Sequence, residues 1–90
     1  MNRNAVYDLI DGERDYQDRR WADSGGRPKS DSETPVSSWL LYIETQLNRA
    51  KDSIYNLDEQ GALEYVRKIA GLAVACMENN ETKPRQLFLS

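Results

Sequence analysis

The residues in this sequence that could do chemistry are cations and aromatic rings, and no catalytic constellation accompanies them. The chain of 90 residues contains no histidine and one cysteine, Cys76. Because histidine is absent, no imidazole can activate a nucleophile, and a zinc site of the usual kind is excluded. Neither metal ligands nor cofactors are therefore predicted. Arginine and aromatic surfaces suit ligands that carry a phosphate and a base. The basic and aromatic set comprises Arg14, Arg20, Arg27, Lys29, Arg67, Lys68, Lys83, Arg85, Tyr7, Tyr16, Trp21 and Trp39.

Several of these residues belong to a first helix, predicted over residues 2–21, whose inner face changes character along its length. The apolar residues on that face are Val6, Leu9 and Ile10. The same face continues with Glu13, Tyr16, Gln17 and Arg20. Polar groups that face a core must find partners or line a cavity. Two interpretations follow: these residues line a pocket, or the core ends at Ile10 and the rest of the helix extends into water.

The helix that positions the others is predicted over residues 35–56, with Thr34 as N-cap and Pro35 at the first helical position. Its apolar residues recur at steps of four and three, which is typical of a helix that packs along its length against another helix. This central seam comprises Val36, Leu40, Ile43, Leu47, Ala50, Ile54 and Leu57. Asp58 is a natural N-cap for a third helix over residues 59–79, and the short connection makes the two helices an antiparallel hairpin.

The third helix carries two packing rows. One row is predicted to face the hairpin partner and comprises Ala62, Val66, Ile69, Ala73 and Cys76. The other comprises Glu64, Lys68, Gly71, Ala75 and Glu78, with the smallest residues at its centre. This second row is predicted to meet either the first helix or another subunit.

Together these elements predict a single all-α domain, a helical hairpin plus an N-terminal helix, joined by a loop over residues 22–34 and followed by a tail over 80–90. Pro84 prevents the third helix from continuing, and the apolar residues Leu87 to Leu89 are predicted to dock on the body or on a neighbouring subunit. Because 90 residues bury only a modest core, and no disulfide or zinc can add stability, a homo-oligomer is expected.

Composition limits the partners. The net charge is −3, which argues against general nucleic-acid binding because such proteins usually carry a basic excess. No apolar run approaches the length of a membrane span, and the N-terminus has no signal-peptide core. A free cysteine is typical of proteins in the reducing cytoplasm. A cytoplasmic protein without a membrane partner is therefore expected.

Two segments, residues 13–21 (ERDYQDRRW) and residues 62–85 (ALEYVRKIAGLAVACMENNETKPR), resemble a family of small tailed-phage proteins. That family shares an E-R-x-x-Q-x-x-x-W segment, a middle helix and a C-terminal A-L-x-x-[IV]-R-K…C-M-E…P-R segment. The matching positions are Glu13, Arg14, Gln17, Trp21, Arg67, Lys68, Cys76, Met77, Glu78, Pro84 and Arg85. The chain departs after Glu78, where residues 79–82 (NNET) replace a commoner Gln-His-Gly-Ala-like run. The resemblance implies a phage origin and an oligomeric α-helical fold, and it supplies no function.

The family pattern is also distantly similar to the all-α MazG-like pyrophosphohydrolases, which carry an E-E-x-x-E motif on the central helix. This chain has residues 44–48 (ETQLN) there, so the ligand set for Mg²⁺ is incomplete. A degenerate hydrolase would use Glu13, Glu44 and either Asp52 or Glu64.

The sequence therefore favours a non-catalytic phage-type binding protein, which sequesters a small nucleotide-like anion or inhibits a host protein during infection in the host cytoplasm. The alternatives are a degenerate Mg²⁺-dependent nucleotide pyrophosphohydrolase and a structural or assembly factor. The predicted ligand-binding residues are Glu13, Arg14, Gln17, Arg20, Trp21, Arg67, Lys68 and Arg85.

Overall fold

The computed structural model describes residues 1–23 and 33–86, and over these ranges the chain forms α-helices and no strand. The helices are α1 (Arg3–Asp23), α2 (Val36–Tyr55) and α3 (Glu59–Asn79). The prediction of an all-α fold, with a helical hairpin and an N-terminal helix, is confirmed. None of the three helices is long and apolar enough to cross a membrane.

Some predictions concern residues outside the described ranges. These are the basic residues Arg27 and Lys29, most of the predicted loop, and the docking of Leu87 to Leu89. The part of the tail that is described, residues 80–86, contains no helix, as Pro84 predicts.

A tight turn makes α2 and α3 a hairpin. Leu57 adopts φ 58°, and its N–H donates to Ile54 O at 3.0 Å while Asp58 N–H donates to Ser53 O at 2.8 Å. This pair of bonds is the Schellman arrangement, which satisfies the last carbonyls of a helix and usually places glycine at the position of Leu57. The side chain of Asp58 then accepts from Gly61 N–H at 2.9 Å, so the predicted N-cap of α3 is confirmed.

The start of α2 differs from its prediction by one residue. Pro35, rather than Thr34, occupies the N-cap position, with an extended ψ of 158° and no side-chain cap. Its carbonyl accepts from Ser38 N–H at 3.0 Å, so the helical bonds begin at Pro35. The prediction was wrong because Pro35 keeps an extended ψ and its ring nitrogen stays just outside the helix.

The row of α2 that packs against α3 is not the predicted central seam. The buried or half-buried members of the row that packs are Trp39, Ile43, Gln46, Ala50 and Ser53. Of the predicted seam, Leu40, Leu47 and Ile54 remain about half exposed, and Leu57 in the turn is 92% exposed. The two rows share Ile43 and Ala50, so the hairpin was predicted correctly while the helix is rotated by about 60° from the predicted orientation. The physical reason is that Trp39, fully buried, takes the central place in the core.

Helix α3 lies between the other two helices. Trp39 of α2 packs with Leu72 and Ala75 of α3 in the buried core cluster, against which Trp21 of α1 also packs. On another side of α3, Gly71 is buried beneath α1. The second row of α3 therefore meets the first helix, which settles the two alternatives left by the sequence.

The part of α1 that is buried is polar. Glu13, Arg14 and Gln17 are 6%, 8% and 7% exposed, whereas Val6 and Leu9 in the apolar first turns are 39% and 47% exposed. Ile10 is half-buried, so the expectation that the apolar start of α1 faces the core was wrong for Val6 and Leu9 only. The reason is steric: Gly71 lets α1 lie close against α3, and the residues of α1 opposite that glycine, Glu13 and Gln17, are polar.

Candidate functional site

The contact of α1 with α3 is built around a carboxylate that is removed from water. One Glu13 oxygen accepts from Arg67 Nε at 2.9 Å and the other accepts from Gln17 Nε2 at 3.2 Å. The Glu13 side chain is 5% exposed and that of Arg67 is 43% exposed. Gln17 Nε2 also lies 3.3 Å from the main-chain oxygen of Lys68. A buried carboxylate needs such partners, so Glu13, Gln17 and Arg67 are held by each other.

Arg14 extends this network towards the end of α3. Its guanidinium donates to Gln17 Oε1 at 3.1 Å, to Asp18 Oδ1 at 3.2 Å and to Glu78 Oε1 at 3.3 Å. Because the Arg14 side chain is only 10% exposed and already faces two carboxylates, its charge is neutralised inside the protein. We call the set Glu13, Arg14, Gln17, Arg67 and Glu78 the crossing network, and its geometry gives it a role in holding α1 on α3.

Beside the crossing network lies a recess that we call the cationic groove, with a volume of about 280 Å³. Its lining residues are Glu13, Tyr16, Gln17, Arg20, Trp21, Gln46, Lys68 and Leu72. Among the described side chains, no carboxylate forms an ion pair with Arg20 or Lys68. Since Arg67 neutralises Glu13, these two cations leave the groove with a positive charge.

The indole of Trp21 in the cationic groove is held in place by packing. Trp21 lies with its ring centroid 6.4 Å from that of Trp39, at an interplanar angle of 54°. The Lys68 ammonium lies 5.0 Å from the ring centroid of Tyr65, a cation–π contact that leaves its hydrogen-bonding capacity for other acceptors. The groove therefore combines a fixed indole with cations that can turn towards an anion.

Gln46 adds an acceptor to the wall of the cationic groove. Its side-chain oxygen is buried and has no hydrogen-bond partner in the part of the chain that the structure describes. A buried acceptor without a partner is costly, and because this oxygen is closed to solvent, a ligand N–H donor would reach it only after the Gln46 side chain turned into the groove.

A second groove, the acidic groove, lies on the other side of Glu13 and has a volume of about 530 Å³. Its lining residues are Asp8, Leu9, Gly12, Glu13, Tyr16, Glu64, Arg67 and Lys68. Asp8 and Glu64 bring negative charge here, and Arg67 is already paired with Glu13. An anion is therefore better matched to the cationic groove, although this groove is the smaller of the two.

The structure brings together part of the predicted ligand-binding set. Arg20, Trp21 and Lys68 line the cationic groove, together with Glu13 and Gln17, whose hydrogen bonds serve the crossing network. Arg14 and Arg67 are ion-paired within the protein, so they act in helix packing. Arg85 lies in the exposed tail and lines neither groove.

Three further groove residues, Tyr16, Gln46 and the core residue Leu72, were not predicted as binding residues. Tyr16 follows the inner face of α1 and could have been selected from the periodicity alone. Gln46 was placed beside the central seam, and only the true orientation of α2 brings it to the groove. Among residues 1–23 and 33–86, no three His, Cys, Asp or Glu side chains lie close enough together to hold a metal ion.

Comparison of the chain with protein-family models, with curated protein sequences and with solved structures returns no match.

Proposed function

We propose that this chain is a non-catalytic binding protein that sequesters a small anionic, nucleotide-like ligand in the cationic groove. The observation that carries the proposal is the presence of Arg20 and Lys68, unneutralised by any described carboxylate, in one recess with Tyr16 and Trp21. The resemblance to small tailed-phage proteins adds a proposed origin and cellular location. The protein would be phage-encoded, would act in the host cytoplasm during infection and would be a homo-oligomer.

The chemistry of the groove favours a ligand with a phosphate at one end and a base at the other. Arginine and lysine are the usual phosphate donors, and an aromatic face such as that of Trp21 stacks on a base. The volume of about 280 Å³ lies near the lower end of the range for small-molecule sites, about 300–1,000 Å³. A recess of this size suits a mononucleotide better than the surface of a host protein.

The hydrolase alternative finds less support, and the assembly-factor alternative is distinguished by experiment. A degenerate pyrophosphohydrolase would need carboxylates gathered around Mg²⁺, but Glu13 is paired with Arg67 while Glu44, Asp52 and Glu64 are exposed. An assembly factor would self-associate without a small ligand. It therefore differs from the proposed function in predicting that nucleotides do not bind.

The test is a calorimetric titration with nucleoside 5′-monophosphates and 5′-triphosphates, followed in parallel by tryptophan fluorescence. We expect saturable binding, and we expect Arg20→Ala or Lys68→Ala to raise Kd by about tenfold to a hundredfold, because each removes a charge-assisted hydrogen bond worth about 1.5–3 kcal/mol. Folding should be unaffected, since the contact of Lys68 with Gln17 uses its main-chain oxygen.

Arg19→Ala is the matched control for Arg20→Ala. Arg19 is exposed on the same helix and lines neither groove, so its substitution should leave Kd within about twofold of the native value, the effect of long-range charge alone. Equal weakening by Arg19→Ala and Arg20→Ala would show that the nucleotide is held by general charge and not by the groove. Absence of binding by every nucleotide in the panel would remove the proposed ligand class.

A further inference from the structure

The hairpin has one side covered by α1 and another side that is apolar and that no described helix covers. On the uncovered side, seven apolar residues have between 45% and 58% of their surface exposed. We call this the open face, and it comprises Val36, Leu40, Leu47, Ile54, Leu63, Val66 and Met77. A helix pair in a soluble protein normally exposes a polar outer side, so this surface requires an explanation.

Helix geometry places these residues on one surface. In α2, Leu40 and Leu47 directly follow Trp39 and Gln46, so they point about 100° away from the side that packs on α3 and faces the cationic groove. In α3, Val66 and Met77 lie about 120–140° round the helix from Gly71, the residue beneath α1. The two helices run antiparallel, so the rotation from their shared interface to the exposed residues leads to the same side of the hairpin in both helices. That side is opposite α1.

The area of the open face matches what a second protein surface covers. The exposed fractions correspond to apolar residue surface on the order of 700 Å². The largest apolar patch of a typical monomer is about 300–600 Å². One partner of a standard protein interface contributes about 800 Å². The open face is thus at least as large as the largest apolar patch of a typical monomer, and it is close to half of a specific interface.

The pattern of the open face is complementary to itself. In α2, Leu40 and Ile54 lie seven residues before and after Leu47. An antiparallel copy of α2, related by a two-fold axis at Leu47, therefore brings Leu40 against the partner subunit's Ile54 and Leu47 against the partner subunit's Leu47.

The same axis crosses α3 close to Val66. Trp39 packs with Leu72 and Ala75, and Leu47 lies eight residues nearer the turn, so Leu47 is level with residues 64–67 of α3. The axis therefore brings Val66 against the partner subunit's Val66. One symmetry operation thus places apolar residues of both helices at the interface.

Charges at the edge of the open face fit this arrangement. Glu44 and Lys51, both exposed, lie one turn before and one turn after Leu47. The two-fold axis places Glu44 beside the partner subunit's Lys51, and Lys51 beside the partner subunit's Glu44. Opposite charges meet twice, whereas a parallel copy would set like charges together.

We infer that the open face is the interface of a homodimer, in which two hairpins form an antiparallel four-helix core and α1 lies outside it. This inference rests on the homo-oligomer in the proposed function, and it is independent of the cationic groove, which lies on the opposite side. The chain's own apolar residues 87–89 are a poorer occupant: three extended residues reach about 10 Å, and Leu40 to Ile54 along α2 span about 21 Å.

The experiment is sedimentation equilibrium of the full chain over a wide concentration range, with native mass spectrometry of the same samples. The native chain should have twice the chain mass. Leu47→Glu should weaken dimerisation by about a hundredfold or more, since it places two carboxylates against each other at the axis. Leu41→Glu is the matched control, because Leu41 is 62% exposed on the other side of α2, and it should leave the dimer intact.

A charge exchange provides a second measurement that does not disturb the apolar residues. Glu44→Lys alone should weaken the dimer, and Glu44→Lys with Lys51→Glu should restore it, because only the proposed pairing joins these positions. Circular dichroism should show unchanged helix content in every variant.

A native chain that stays monomeric at all concentrations would overturn the inference. Residues 87–90 or another protein would then be the remaining candidates to cover the open face. An assembly that survives Leu47→Glu, or one that is lost in Leu41→Glu, would overturn it as well. A monomer that binds nucleotides would refute this interface alone, whereas a dimer that binds none would support the interface and count against the proposed function.

Discussion

Trp39→Ala is expected to lower the free energy of unfolding by about 3–5 kcal/mol, the usual cost of removing a large buried aromatic side chain. Trp39 is 0% exposed and packs with Leu72 and Ala75 in the core cluster. Its ring also meets Trp21 at 6.4 Å and Tyr42 at 6.0 Å between centroids. Because the Trp39 ring joins α2 to both other helices, its removal should make the unfolding of the whole domain less cooperative.

The loss is large relative to the stability of a small domain, about 0.05–0.15 kcal/mol per residue. Urea denaturation followed by circular dichroism at fixed protein concentration measures it. Tyr55→Ala in the same helix is the control: Tyr55 is 81% exposed, so the change should be within about 0.5 kcal/mol. If Trp39→Ala lowers the free energy of unfolding by less than Tyr55→Ala does, the core is not centred on Trp39.

Gly71→Leu is expected to be the second most damaging change, by about 2–3 kcal/mol, because it forces a side chain into a close helix contact. A Cβ atom at Gly71 would lie 2.8 Å from Gln17 Nε2 and 2.9 Å from Glu13 Cγ. Both neighbours are buried and hydrogen-bonded, so they cannot move aside cheaply. Helix α1 would have to separate from α3, which should shift the emission of Trp21 and make α1 sensitive to proteases.

Gly12→Leu is a matched substitution in another helix interior. No atom lies within 4 Å of a Cβ built at Gly12, so the gain in helix propensity, about 1 kcal/mol, should raise the melting temperature. The two variants should therefore change stability in opposite directions. A similar melting temperature for both would contradict the close approach of α1 to Gly71.

How far the sequence predicts this fold is clearest at α2. The apolar period of 3.5 was sufficient to predict the hairpin, but α2 carries two overlapping rows with that period. The sequence favoured the row with Leu40 and Leu47 because it is the more apolar. The chain instead uses the row that contains Trp39, which supplies the largest side chain of the core. A single sequence contains no signal that tells an internal apolar row from an external one.

The candidate site was predicted in part for a related reason. The small residues Gly71 and Ala75 between charges correctly indicated a packing surface. The register that sets Glu13 against Arg67, and Arg14 against Glu78, depends on tertiary structure that periodicity does not specify. Glu13, Arg14 and Arg67 were predicted as ligand contacts, and in the fold their ion pairs join α1 to α3. Of the described cations that line the cationic groove, Arg20 and Lys68, neither forms an ion pair with a described carboxylate.

Native mass spectrometry tests the central proposal, that the cationic groove holds a nucleotide-like anion, most directly. The native chain and the double variant Arg20→Ala with Lys68→Ala would each be incubated with a mixture of nucleoside phosphates and sprayed under gentle conditions. The proposal predicts that each native chain carries the added mass of one nucleotide and that the double variant carries none. Equal occupancy in both proteins, or no bound nucleotide in either, would contradict it.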